Sequence, residues 1–290
     1  MPEGIAGPVS EGEDRPVLKR ALNMGEDGDW QGMADTLLEA LEDDPDDPVI
    51  LCWLGTAERE LGLEGVAYER FRRCLAGQPE DPLILATAGT ALASFDDPEA
   101  EPALRAAAKL APNLSAVRWR YGAFLSREGL FDDALRELDA ARESAPEDPT
   151  IRFERAVALG LKGDLDEAAE ELEACLELEP SHDWALLVLG LVRVELGEVD
   201  AAALALVEGA RERPEDVEAQ CLAALALAGL GRDGEAYEMV ERARMRAEGA
   251  HKSLVAEVEE RVEEGSDEAL AFLHGAMAPS TLRERFMARP

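Results

Sequence analysis

The sequence predicts an all-α solenoid of about seven helix hairpins, and three observations predict it. Prolines recur on a grid, with Pro45, Pro79, Pro112, Pro146, Pro180 and Pro214 separated by 34, 33, 34, 34 and 34 residues. Glycines keep the same beat at Gly28, Gly62, Gly129, Gly163, Gly197 and Gly231, with Asp96 in the missing slot. Between each glycine and the next proline, a small, a large apolar and a small residue recur at 4,3 spacing. Ala67, Phe71 and Cys74 form one such set and Ala168, Leu172 and Cys175 another, which puts all three on one helix face.

Each element follows from this grid. Glycine supplies the permissive backbone where a first helix ends, and proline marks where the second helix stops. Acids gather in the loops, as in Asp46-Asp47-Pro48, Glu80-Asp81-Pro82, Glu147-Asp148-Pro149 and Glu215-Asp216. There they can cap the next helix and favour its positive end. A lone hairpin cannot bury both faces, so neighbours must stack. Seven units fit across 14–250, with bounds 14–47, 48–81, 82–114, 115–148, 149–182, 183–216 and 217–250. In the third unit Pro98 and Pro102 lie close together without a turn glycine, which predicts a second helix that starts late or kinks.

The flanks read differently. Residues 1–13, rich in Gly, Pro, Glu and Ser, are expected to be a disordered segment. Leu254, Val255, Val258 and Val262 form an apolar stripe on a Glu-rich helix, and Ser266-Asp267-Glu268 reads as a second helix start. Residues 251–279 are therefore expected to be capping helices or a degenerate eighth repeat. Residues 280–290 form a basic tail carrying Phe286 and Met287, which either packs or stays a tail.

The 34-residue period, Leu54-Gly55, Tyr121-Gly122 and Leu189-Gly190 in first helices, Ala67-x3-Phe71 in a second helix and a closing proline together resemble the tetratricopeptide repeat. The resemblance covers over four fifths of the chain. It implies a right-handed superhelix in which the first helices line a concave groove. Carried over unit by unit, it implies a partner-binding set that includes Leu18, Leu22, Trp53, Arg59, Trp119, Arg120, Phe153, Trp184, Leu187, Leu191 and Leu225. Members of the family that grip acidic chaperone tails use a lysine and an asparagine one turn apart. Leu18 and Leu22, Cys52 and Thr56, and Ala86 and Thr90 stand in those places here, so that clamp is absent. The groove is an apolar, aromatic track suited to an amphipathic helix or an extended apolar segment. Leu and Val at such positions also pack against the next unit, so part of the set can be core.

Charge sets the partner class. With 63 acids against 29 bases the formal net charge is −34, which repels phosphate backbones and anionic lipid, so no nucleic acid is expected as a partner. The groove escapes this excess. Arg15, Lys19, Arg59, Arg120 and Arg127 against Glu26 and Glu60 give +3 in the first four units, while Glu154, Glu195 and Glu218 give −3 in the last three. The apolar run from Trp184 to Val192 is half of a membrane span. Four cysteines without a C-x-x-C pair, and a start that lacks a basic and apolar leader, point to a cytoplasmic protein.

Chemistry is sparse. His182, His251 and His274 are isolated, with no metal-ligand or nucleophile-base spacing. Asp43-Asp44-Pro45-Asp46-Asp47 lacks the alternating ligands of a calcium loop, and Glu170-Glu171 and Glu259-Glu260 lie on solvated faces. No catalytic residue, metal or cofactor is assigned. The expectation is a non-enzymatic interaction scaffold or adaptor whose groove takes an apolar or amphipathic segment of a protein or peptide. The alternative is a self-assembly module, possible as a homo-oligomer, whose groove binds its own tail or another copy.

Overall fold

The computed structural model describes residues 15–288. Among the described residues the fold is helical throughout, without a strand. The chain divides into two compact units, Met1–Glu128 with Arg136–Ala145, and Gly129–Leu135 with Pro146–Pro290. The segment expected to be disordered, 1–13, lies outside the described residues.

The first unit contains α1 (Pro16–Glu26), α2 (Trp30–Leu41), α3 (Pro48–Glu60), α4 (Glu64–Ala76), α5 (Pro82–Ala93), α6 (Ala100–Leu110) and α7 (Ser115–Arg127). They pair as hairpins, α1 with α2, α3 with α4 and α5 with α6. The helix that follows, α8 (Phe131–Ser144), contributes residues to both units. The second unit continues with α9 (Pro149–Lys162), α10 (Leu165–Leu178), α11 (Asp183–Glu195), α12 (Val199–Glu212), α13 (Val217–Gly229) and α14 (Asp233–Arg246). These form three further hairpins.

The glycine grid does what its spacing requires. Gly28, Gly62, Gly129, Gly163, Gly197 and Gly231 take φ between +68° and +100°, the left-handed region that ends a helix without a Cβ penalty. Asp96 takes the same turn at φ +53°, which an aspartate tolerates better than most residues. The following helix α6 begins at Ala100 and has 11 residues, against 14 in α10, α12 and α14, so the late start is observed. Acids cap the first helices. Asp47 accepts from the Val49 and Ile50 amides, Asp81 from Leu83 and Ile84, Asp148 from Thr150 and Asp216 from Ala219. At α11 the cap is His182, whose Nδ1 accepts from the Ala185 amide at 3.1 Å.

Packing inside a hairpin rests on a glycine of the first helix meeting the large apolar residue of the second. A Cβ at Gly55 would lie 3.0 Å from Phe71 Cζ, and one at Gly190 would lie 2.6 Å from Leu206 Cγ. Phe71 and Leu206 are fully buried there, which stabilises each pair by about 2–3 kcal/mol.

The C-terminal end departs from the grid. Helix α15 (His251–Glu264) packs on α13 and α14, with Val255, Val258 and Val262 buried. Gly265, at φ +120°, turns the chain into the short α16 (Ser266–Phe272), which returns onto α13 and α15. A π-helical turn, Leu273–Met277, leads into α17 (Ala278–Met287). The segment expected as a basic tail is thus a helix from Ala278, and it packs against α11 and α9.

Candidate functional site

Each unit carries its own candidate site on the face of its first helices, α1, α3, α5 and α7 in the first unit and α9, α11 and α13 in the second. In the second unit this face is covered from within the chain. Leu270 of α16 sits over Gly229, where a Cβ would lie 2.6 Å from its Cγ. The π-helical turn crosses α13 and α11 with Leu273 and Met277 buried, and α17 continues over α11 and α9. Phe286, 2% exposed, lies against Gly160 in the last turn of α9, where a Cβ would stand 2.7 Å from its Cε2 and closer still to Cζ. Leu282 is buried in the same cluster as Phe153, Val157, Leu187 and Leu191.

Charge locks the same contact. The Arg285 guanidinium reaches the Asp216 carboxylate at 2.8 Å and the Glu218 carboxylate at 3.0 Å, and Thr281 Oγ1 donates to Glu218 at 3.1 Å. Arg213 also reaches Asp216, at 3.4 Å, and Asp183, at 2.7 Å. Trp184 is flanked by both cations, with Arg213 5.2 Å and Arg285 5.3 Å from its ring centroid. Burial by itself would raise the Asp216 carboxyl. The Arg285 hydrogen bond, the Ala219 amide and the charges of Arg285 and Arg213 outweigh burial and hold it below the ordinary carboxylate range.

The structure therefore changes the reading of several expected lining residues. Leu18, Phe153, Leu187, Leu191 and Leu225 are buried, the last two completely, and present no surface to a partner. Leu18 is core of its own hairpin stack, and the others lie in the continuous core that the C-terminal helices close. Cys52 and Cys221, also on this face, are buried free thiols. Trp184 keeps part of its ring accessible between its two arginines.

In the first unit the same face stays more open. Leu22, Trp53, Trp119 and Arg120 are partly exposed and Arg59 is exposed. Trp53 rests on the first unit's core, and the Arg120 guanidinium lies 4.4 Å over the Trp119 ring while its Nη1 donates to the Ala116 carbonyl at 2.6 Å. Arg59 lies 3.6 Å from Glu60. On α5, the Thr90 hydroxyl is buried and has no hydrogen-bond partner among the described residues. Thr90 belongs to the groove positions, but its unpaired hydroxyl has no signature in the sequence. Among the described residues no group of His, Cys, Asp and Glu could hold a metal ion, and no helix is long and apolar enough to cross a membrane.

Two family models of the tetratricopeptide repeat match the sequence, one over residues 123–183 and one over 161–225. A comparison with the curated proteins finds no match. Solved structures share the fold at low sequence identity. The APC/C hetero-tetramer Cut9-Hcn1 is similar with TM-score 0.68 and 17% identity, over 83% of this chain and 48% of that one. PilW, a type IV pilus biogenesis factor, is similar with TM-score 0.61 and 19% identity, over 71% and 96%. PilF of Pseudomonas aeruginosa is similar with TM-score 0.55 and 20% identity, over 67% and 89%.

Proposed function

Because this chain is a tetratricopeptide repeat protein, we propose that it is a non-enzymatic interaction scaffold that binds an apolar or amphipathic segment of a partner protein on its first-helix faces. The fold is that of protein-interaction scaffolds, and fold alone names no partner. The observation that carries the finer reading is the pair of half-exposed tryptophans, Trp53 on α3 and Trp119 on α7, on the face that the family uses for binding. Tryptophan beside arginine is the composition of interface anchors rather than of idle surface. The +3 balance of this stretch, in a chain of net charge −34, favours a partner segment with acids beside its apolar face.

The test is quantitative capture from native lysate by the wild-type chain and by a Trp53→Ala/Trp119→Ala variant. A partner retained by the first and lost by the second, at unchanged melting temperature, supports the reading. Equal recovery by both would contradict it.

A further inference from the structure

We propose that α17 is a resident ligand of the second unit. It holds the α9 and α11 face closed and gives way to a partner helix that carries apolar residues at i and i+4 with an arginine at i+3. The inference deepens the scaffold reading and rests on it, but it concerns the second unit, whereas capture through Trp53 and Trp119 tests the first.

The geometry of α17 is that of a bound peptide. Leu282, Arg285 and Phe286 stand at i, i+3 and i+4, on one helix face, and all three face inward. Arg283, Glu284 and Met287 are exposed on the opposite side. The inward face meets three complementary features. Gly160 leaves the slot that Phe286 fills. Asp216 and Glu218 take both sides of the Arg285 guanidinium, and the Trp184 ring lies beneath it. The buried cluster of Phe153, Val157, Leu187 and Leu191 takes in Leu282.

Its place in the chain is that of a tethered ligand. Helices α9 to α14 complete three hairpins, and α15 and α16 cover the end of the stack. Helix α17 belongs to none of these pairs. It hangs from a π-helical turn that contains Gly275, a departure from α-helical bonding of a kind found at mobile or functional points. The short tether keeps its local concentration high, so an untethered helix with the same face competes only when it binds better or when the tether's grip weakens. The charge asymmetry of the sequence fits this arrangement. The acidic stretch of the first-helix faces, with Glu218 in it, is answered by a basic segment of the same chain, and the competitor must be basic too.

The experiment titrates a fluorescein-labelled synthetic peptide of residues 278–290 into three full-length proteins and follows anisotropy. These are wild type, Phe286→Ala, which loosens the resident helix and leaves the face intact, and Phe286→Ala/Gly160→Leu, which also fills the ring slot. The expected result is binding to Phe286→Ala roughly a hundredfold tighter than to wild type, as for a face free about 1% of the time, and no binding to the double variant. Equal affinity for wild type and Phe286→Ala would overturn the proposal, as would binding to the double variant. A Phe286→Ala chain that loses its cooperative melt would overturn it too, because a resident ligand leaves the stack standing. A wild-type dimer that forms with concentration by exchanging α17 would overturn it in favour of a second copy.

Discussion

Phe286 occupies the space that Gly160 leaves by having no Cβ, and this contact fixes where the C-terminal helix lies on α9. A glycine in a helix interior costs about 1 kcal/mol against a good helix former and less in the last turn, where Gly160 lies, so Gly160→Leu should stabilise α9 modestly on propensity alone. Here the leucine fills the ring slot, and α17 should be released. Limited trypsin digestion should cut after Arg283 and Arg285 much faster in the variant than in wild type. Equal rates would mean that Phe286 finds another seat.

Two glycines separate packing from propensity in the same way. Gly190 faces Leu206, whose backbone nitrogen would be 3.1 Å from a new Cβ, so Gly190→Ala should destabilise by about 1–3 kcal/mol. Gly65, in the first turn of α4, has open space around it, and Gly65→Ala should gain about 0.5–1 kcal/mol. Urea melts of the two variants should move in opposite directions.

The Arg285 cluster makes docking of α17 sensitive to acid. Asp216 is held below its ordinary value, so its contribution is full above the unfolded carboxylate range, about 3.9, and is lost as pH falls through its lowered value. Protection of α17 from trypsin-like cleavage, measured with an acid-tolerant protease, should hold from neutral pH to about 4 and fail below it. Arg285→Ala should weaken docking by about 2 kcal/mol. That is less than the loss of a partner from a fully buried pair, because Arg213 and the Ala219 amide still hold Asp216.

The thiols report on opening. Burial, with the Glu218 and Asp216 charges, pushes Cys221 up to about 12, and burial, with Glu179, Asp148 and Glu171, does the same to Cys175. At pH 8 each should react with a thiol reagent roughly a thousandfold more slowly than a free cysteine. The sign for stability is the reverse of the Asp216 case. The folded state keeps these thiols protonated, so their contribution is complete below the unfolded value, about 8.5, and declines from there toward pH 12.

The hairpins were legible in the sequence because their parts are local. Glycine at six turns, a proline after the first six second helices and an aspartate at four first-helix caps are each readable within one unit, and Asp96 even marks the turn where glycine is missing. The late start of α6 followed from Pro98 and Pro102 for the same reason. What covers a face is not local. Leu187 is buried partly by its own hairpin, against Gly209, as the packing reading of such leucines allows, but that the C-terminal helices close the same face is not written near it. The signal available was Gly160 itself, a groove-position glycine in the last turn of α9 beside the Gly163 that already makes the turn, together with an i, i+3, i+4 Leu, Arg and Phe in the final stretch. Trp53 and Trp119 were legible as lining residues because they stay partly exposed, with no comparable helix over them among the described residues of the first unit.

Hydrogen exchange of the wild-type chain, resolved by segment, tests the central claim most directly. Amides of residues 281–287 should be protected, and should exchange through an opening which leaves α11 and α13 fully protected. Exchange of 281–287 at the rate of an unfolded chain, or only together with α11 and α13, would contradict it.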